Sequence, residues 1–247
     1  MQWEQSGRSR TMKNFLALSS LLLSLLAVPI SVAAQSEPMQ RGIMVELPVT
    51  RSAAAVPDAD DPHAFVVTVT DGDSVYLGIK PTTSAELAEQ IPGSRLTSRG
   101  QRLYIKADSH AQYASVIKVL EAARTAGVDA PILLTSQPDW SRPGTVVPPR
   151  GLEVLTDPAA ASGPGATVVQ VLSSGRRRAE IKINNRDSSW ARMRHALAKV
   201  SHGGKDKMVL VRADGQVSFA DVVQVIDACR SMGANAVLDM AATQPGQ

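Results

Sequence analysis

Two aspartates stand where an enzyme could keep a catalytic carboxylate. Lys106-Ala107-Asp108 and Arg212-Ala213-Asp214 each close a strand-like run just ahead of a helix-like one. Neither has a nearby companion of the acid/base or metal-ligand kind. Asp108 and Asp214 therefore read as structural residues whose carboxylates accept backbone N–H groups in the turn into the helix; a hydrolase built on either is the weakest functional reading. There is no glycine-rich phosphate loop, G-x-S-x-G elbow or H-E-x-x-H. His195 and His202 lie seven apart around a helix end, but no third ligand accompanies them, and His63 and His110 fall in a linker and a turn. Cys229 is the single cysteine, which excludes an intramolecular disulfide and a cysteine-based zinc site, and its helical setting suits a small buried hydrophobe. These residues point to no enzyme activity, no cofactor and no metal.

The remaining charged cluster is Arg176-Arg177-Arg178 at a hairpin turn, with Lys182 close by. Nucleic-acid binding calls for interleaved aromatics, and only Trp190 is at hand, so no nucleic-acid partner is expected. Arg176, Arg177, Arg178 and Lys182 are instead a candidate patch for an anionic envelope surface, weighed against a plain solvated turn. Residues 35–149 carry 10 Lys+Arg and 13 Asp+Glu, net −3, whereas residues 150–247 carry 13 and 9, net +4.

What must position these groups is a repeat. Tyr104 to Leu133 aligns without a gap on Leu210 to Asp239 at a constant offset of 106 residues. Ala107-Asp108 falls on Ala213-Asp214, Tyr113 on Phe219, Val116 on Val222, Val119 on Val225 and Gly127 on Gly233. A match through strand, helix and helix-ending glycine together means two copies of one small unit. Each copy has fewer than about 100 residues, a size at which a lone core is small, so packing of one copy on the other would help. The expected fold is α+β: two tandem two-layer modules, each a small mixed sheet with two helices on one face, in the order ββαβαβ. The other sheet face is expected to be open to a partner. The modules are placed at 42–137 and 151–242, with a Pro/Gly linker at 138–150.

Before the first module lies a different kind of sequence. Lys13 precedes the apolar run Phe15 to Ala27, then Pro29 and the small-residue series Ser31 to Ala34. Residues 1–34 read as a signal peptide cleaved near Gln35, favoured over an uncleaved N-terminal anchor because the apolar run is short and followed by small residues. Either way the protein is exported, to the periplasm or the periplasmic face of the inner membrane. Each copy also has an extended arm: Met44, Val45, Glu46, Leu47 and Pro48, up to Val49, in the first, and Glu153, Val154 and Leu155 in the second. The arms are expected to add strands to the sheet edges of the neighbouring copy, making an intramolecular pseudo-dimer.

The arm Val45-Glu46-Leu47-Pro48, the hairpin at Asp71-Gly72, the run Leu103 to Asp108, Tyr113 and the helix Val116 to Ala126 with Gly127 together resemble the periplasmic domain of the ExbD/TolR family. Val209 to Asp214, Phe219 and Gly233 repeat the ending. The resemblance implies a small subunit of proton-driven transport systems of the cell envelope, partnered by an ExbB/TolQ-like channel subunit or other envelope proteins. It also implies a homodimer or its intramolecular equivalent, and peptidoglycan as a further partner. Family members carry a membrane-embedded aspartate in an N-terminal helix. Residues 14–34 of this chain contain no ionisable side chain, so a freestanding exported module that binds peptidoglycan or another envelope ligand is the alternative.

Overall fold

The computed structural model describes residues 43–91, 96, 101–136, 149–161, 166–175, 178–200 and 207–240. The first copy comprises β1 (Ala54–Ala55), β2 (Phe65–Val69), β3 (Val75–Leu77), β4 (Lys80–Thr82), α1 (Ser84–Gln90), β5 (Leu103–Ala107), α2 (Tyr113–Thr125) and β6 (Ile132–Thr135). The second comprises β7 (Arg150–Glu153), β8 (Thr167–Leu172), β9 (Glu180–Ile183), β10 (Arg186–Ser188), α3 (Met193–Val200), β11 (Met208–Ala213), α4 (Phe219–Ser231) and β12 (Asn235–Leu238). The sheet orders are β1-β7-β6-β5-β2-β3-β4 and β10-β9-β8-β11-β12. In each copy a central strand, β5 or β11, is parallel to both neighbours, and a hairpin extends the sheet antiparallel. The α+β class and the two-module plan hold.

Local chemistry explains the element ends. The Thr83 side chain accepts from Glu86 N–H while the Glu86 carboxylate accepts from Thr83 N–H, a capping box that starts α1. Gly127 (φ 83°) ends α2 with bonds from Gly127 N–H to Arg124 O and from Val128 N–H to Ala123 O. Gly233 (φ 71°) ends α4 with the same pair, Gly233 to Arg230 and Ala234 to Cys229. Both are Schellman caps, which need a residue tolerant of the left-handed region.

Three features differ from the expectation. The β-rich run Val75 to Ile79 predicts one strand, but the chain turns at Gly78 (φ 63°) and returns as β4, leaving Ile79 77% exposed at the tip. Asn184 and Asn185, at φ 48° and 62°, make the matching turn between β9 and β10, the type I′ geometry of two-residue hairpins. Each module is thus βββαβαβ. Second, the sequence predicts a helix over Ser189 to Val200, but α3 begins at Met193, because Ser189 to Arg192 forms a separate turn closed by Arg192 N–H on Ser189 O.

Third, the outer sheet faces are not simply open. In the first copy Tyr104, Ile132 and Leu134 are covered by Leu47 of the arm and by Val56 and Ala59 of the Ala/Asp/Pro-rich segment Ser52 to Pro62 that follows it, which forms a short 3-10 turn at Pro57–Asp60. In the second, Leu210 and Val237 are covered by Leu155 and by Ala161 of the turn Pro158–Ala161. Apolar residues in the arms and Ala-rich segments bury better against their own sheet than in water, which is why these linkers fold back.

The copies are joined by more than a linker. One cluster of buried side chains runs through both helix layers, from Val67 and Leu120 to Val225 and Leu238. At its centre the loops before α2 and α4 exchange backbone bonds. Tyr113 N–H donates to Val217 O at 3.0 Å and Phe219 N–H to Ala111 O at 2.9 Å, while Ala114 N–H donates to Gly215 O and Ala220 N–H to Ser109 O, each at 3.0 Å. The 106-residue offset converts each of these bonds into its partner, the signature of a self-complementary contact. The first N–H groups of a helix have no intrahelical acceptor, and here each copy supplies acceptors for the other.

Candidate functional site: strand-end loops and arms

Asp108 follows β5 and begins the loop that enters α2. Its own N–H donates to Val69 O, its C=O accepts from Ala111 N–H, and its side chain is only slightly exposed. One carboxylate oxygen accepts from His110 N–H at 2.9 Å, and the other from Glu46 N–H in the arm at 2.8 Å. Ser109 N–H donates back to Glu46 O at 2.7 Å. Residue 46 is thereby held at both its backbone groups, as in a β-bridge. Desolvation pushes the Asp108 carboxyl up, but the His110 and Glu46 N–H groups and the His110 side chain, 3.3 Å away, outweigh it and hold it below the usual carboxylate range.

Asp214 begins the equivalent loop. Its N–H donates to Val171 O and its C=O accepts from Val217 N–H, repeating the first copy bond for bond. Its carboxylate accepts from Ser173 N–H at 2.8 Å instead of from an arm. Both aspartates thus sit at turns and bond to backbone, and Asp108 also has the exposed His110 ring 3.3 Å from its carboxylate.

The arms go to different places. In the second, Arg150–Glu153 forms β7, antiparallel to β6 of the first copy, with Leu133 opposite Leu152. Leu155 then bridges to β12 of its own copy: Leu155 N–H donates to Ala236 O and Leu238 N–H to Leu155 O. Val154 N–H donates to Pro131 O between them. The first arm does not cross to the neighbouring copy, contrary to expectation. Glu46 is clamped by Asp108 and Ser109, and Ser136 N–H donates to Pro48 O on its own copy. The edge of β6 is already taken by β7, so Val49 bridges only to Ser136 beyond it. Met44 and Val49 are left 92% and 56% exposed. Just past the arm, Arg51 and Ser52 N–H groups donate to the Asp227 carboxylate on α4.

Of the basic patch, Arg176 and Arg177 lie outside the described residues. Arg178 is committed within its own copy: it pairs with Asp221 at 3.7 Å, bonds Gln224 and stacks 4.0 Å over Trp190, whose Nε1–H donates to Ala179 O. Lys182 pairs with Asp187 at 3.5 Å. Cys229 is buried in α4, which pushes its thiol up to about 12 and makes it a poor nucleophile. Sequence reasoning missed two residues here. Lys106 is buried on the outer face of β5, where desolvation lowers its pKa against the counter-pull of Asp60. Tyr113 is buried at the contact between copies with a hydroxyl that finds no partner among the described residues. Among these residues no group of three or more His, Cys, Asp or Glu could hold a metal ion, and no helix is long and apolar enough to cross a membrane. The N-terminal 34 residues, read above as signal or anchor, lie outside them.

The family model described as biopolymer transport protein ExbD/TolR matches residues 13–137 and again residues 148–239. The chain belongs to the ExbD/TolR family. The double match corresponds to the two tandem copies, and the second ExbD/TolR segment takes in β7, the arm strand that docks on the first copy. A comparison with curated proteins finds no match.

Proposed function

We propose that the chain is a non-enzymatic cell-envelope protein, an accessory or adaptor of an ExbD/TolR-type transport system, in which one polypeptide supplies both halves of a dimer. The observation that carries this reading is the reciprocal set of bonds between the loops at 109–114 and 215–220, which belongs to a symmetric dimer contact made within one chain. The expected partner is an ExbB/TolQ-like channel subunit or another envelope protein at the periplasmic face of the inner membrane. The apolar segment at 14–34 holds no group that could carry a proton, so the chain follows the motion of a motor rather than driving it. Cross-linking in intact cells, followed by capture of the tagged chain, tests this: a channel subunit should be recovered with it.

The small-residue series Ser31 to Ala34 supports a second reading, a freestanding module released near Gln35 that binds peptidoglycan. On that reading the mature chain is found in the soluble periplasmic fraction, sediments with purified peptidoglycan and brings no channel subunit. Recovery only in the carbonate-resistant membrane fraction excludes it.

A further inference from the structure

The two strand-end loops share their backbone bonds, yet only one carboxylate holds an arm, while that of Asp214 accepts from Ser173 N–H. In the first copy Asp108 and Ser109 take residue 46 of an extended segment by its N–H and its C=O. In the second copy Asp214 and Gly215 stand in the same frame: Asp214 N–H to Val171 O, Val217 N–H to Asp214 O, and Gly215 O fixed by Ala114 N–H just as Ser109 O is fixed by Ala220 N–H. With the peptide units anchored alike on both sides, Gly215 N–H points where Ser109 N–H points. Among the described residues no acceptor engages it. The segment that would fill this place by the repeat has gone elsewhere, because Arg150–Glu153 is spent on the edge of β6.

We propose that Asp214 and Gly215 form a backbone clamp for an extended acidic-apolar segment of a partner protein, bound as Glu46 is bound in the first copy. The carboxylate of Asp214 accepts the N–H of one residue of the segment, and Gly215 N–H donates to the same residue's C=O. One oxygen of Asp214 bonds Ser173 N–H, and a carboxylate has acceptor capacity to spare for a second donor. The chemistry of the occupant follows from the arm that fills the first clamp, in which the clamped residue is Glu46 and the next, Leu47, packs on the outer sheet face. The second copy's net charge of +4 favours an acidic segment. This goes beyond the adaptor reading and does not need a motor partner.

The test uses the mature full chain, labelled with 15N, and a peptide of the arm sequence from Gly42 to Thr50 added in trans. The amides of Ser173 and Gly215 should shift on titration. Asp214→Ala should weaken binding at least about tenfold, and a peptide carrying Glu46→Lys should bind more weakly than the parent. The proposal is overturned if no shift is seen up to about 1 mM peptide, where binding free energy falls to about −4 kcal/mol. It is equally overturned if shifts are confined to residues 46 and 108–110, meaning that the peptide only exchanges with the resident arm. Equal binding of the Glu46→Lys peptide removes the acidic character assigned to the partner.

Discussion

Tyr113 and Phe219 occupy equivalent places in the two copies, and they differ by one hydroxyl. The Tyr113 hydroxyl is buried with no hydrogen-bond partner among the described residues, and burial, with the Asp239 charge nearby, pushes its pKa well above the ordinary tyrosine value. A buried polar group without a partner costs about 1–3 kcal/mol. Tyr113→Phe, which copies what the second module already has, should therefore stabilise the chain by about 1 kcal/mol and raise Tm by a few degrees in a calorimetric scan. A lowered Tm would mean that the hydroxyl is satisfied. Asp108 gives a prediction of opposite kind. Its folded pKa lies below its unfolded one, so its contribution is full above the ordinary carboxylate range near 4 and is lost as pH falls through the depressed value. Asp108→Asn should flatten the acid limb of a stability-against-pH curve from denaturant melts. It should also speed amide exchange at Glu46, whose N–H the carboxylate accepts.

At the scale of elements, the helices and their ends were legible because their causes are local. The capping box at Thr83 and the glycines at 127 and 233 act through residues three to five positions away. The third hairpin strands were missed because Gly78-Ile79 and Asn184-Asn185 were read as strand and loop residues rather than as two-residue turns. The destination of the arms was less legible, since an extended apolar segment can pair with any edge and only tertiary context selects one. One residue does carry a signal. A Cβ on Gly151 would lie 2.3 Å from Ile132 Cγ2 and 3.4 Å from Leu133 O, so glycine is what lets β7 approach β6, a known meaning of glycine within a strand. Gly151→Val should strip β7 from the sheet. The expected readout is rapid exchange of the amides that β6 contributes to this pairing, with the amides of α2 still protected; unchanged protection at β6 would show that Ile132 moves aside at little cost.

At the scale of the whole molecule, the question is whether the copies are two domains on a string or one folding unit. If they are two domains on a string, a charge buried in one helix should unfold that copy alone. The structure gives a reason to expect more. Val119 and Val225 are both fully buried in one cluster that continues from copy to copy, and the first turns of α2 and α4 depend on each other's loops for acceptors. Unfolding the second copy would expose apolar surface on the first and leave Tyr113 and Ala114 N–H groups without the carbonyls of Val217 and Gly215. Val225→Asp buries an unpaired carboxylate, at a cost of several kcal/mol, comparable with the entire stability of a small domain. The expected outcome is loss of both copies in a single transition, seen as collapse of amide protection in β5 and α2 as well as in β11 and α4. Val119→Asp should do the same from the other side. If β5 and α2 keep their protection while β11 and α4 exchange freely, the copies are separable domains, and the reciprocal loop contact is then a docking surface rather than a condition of folding.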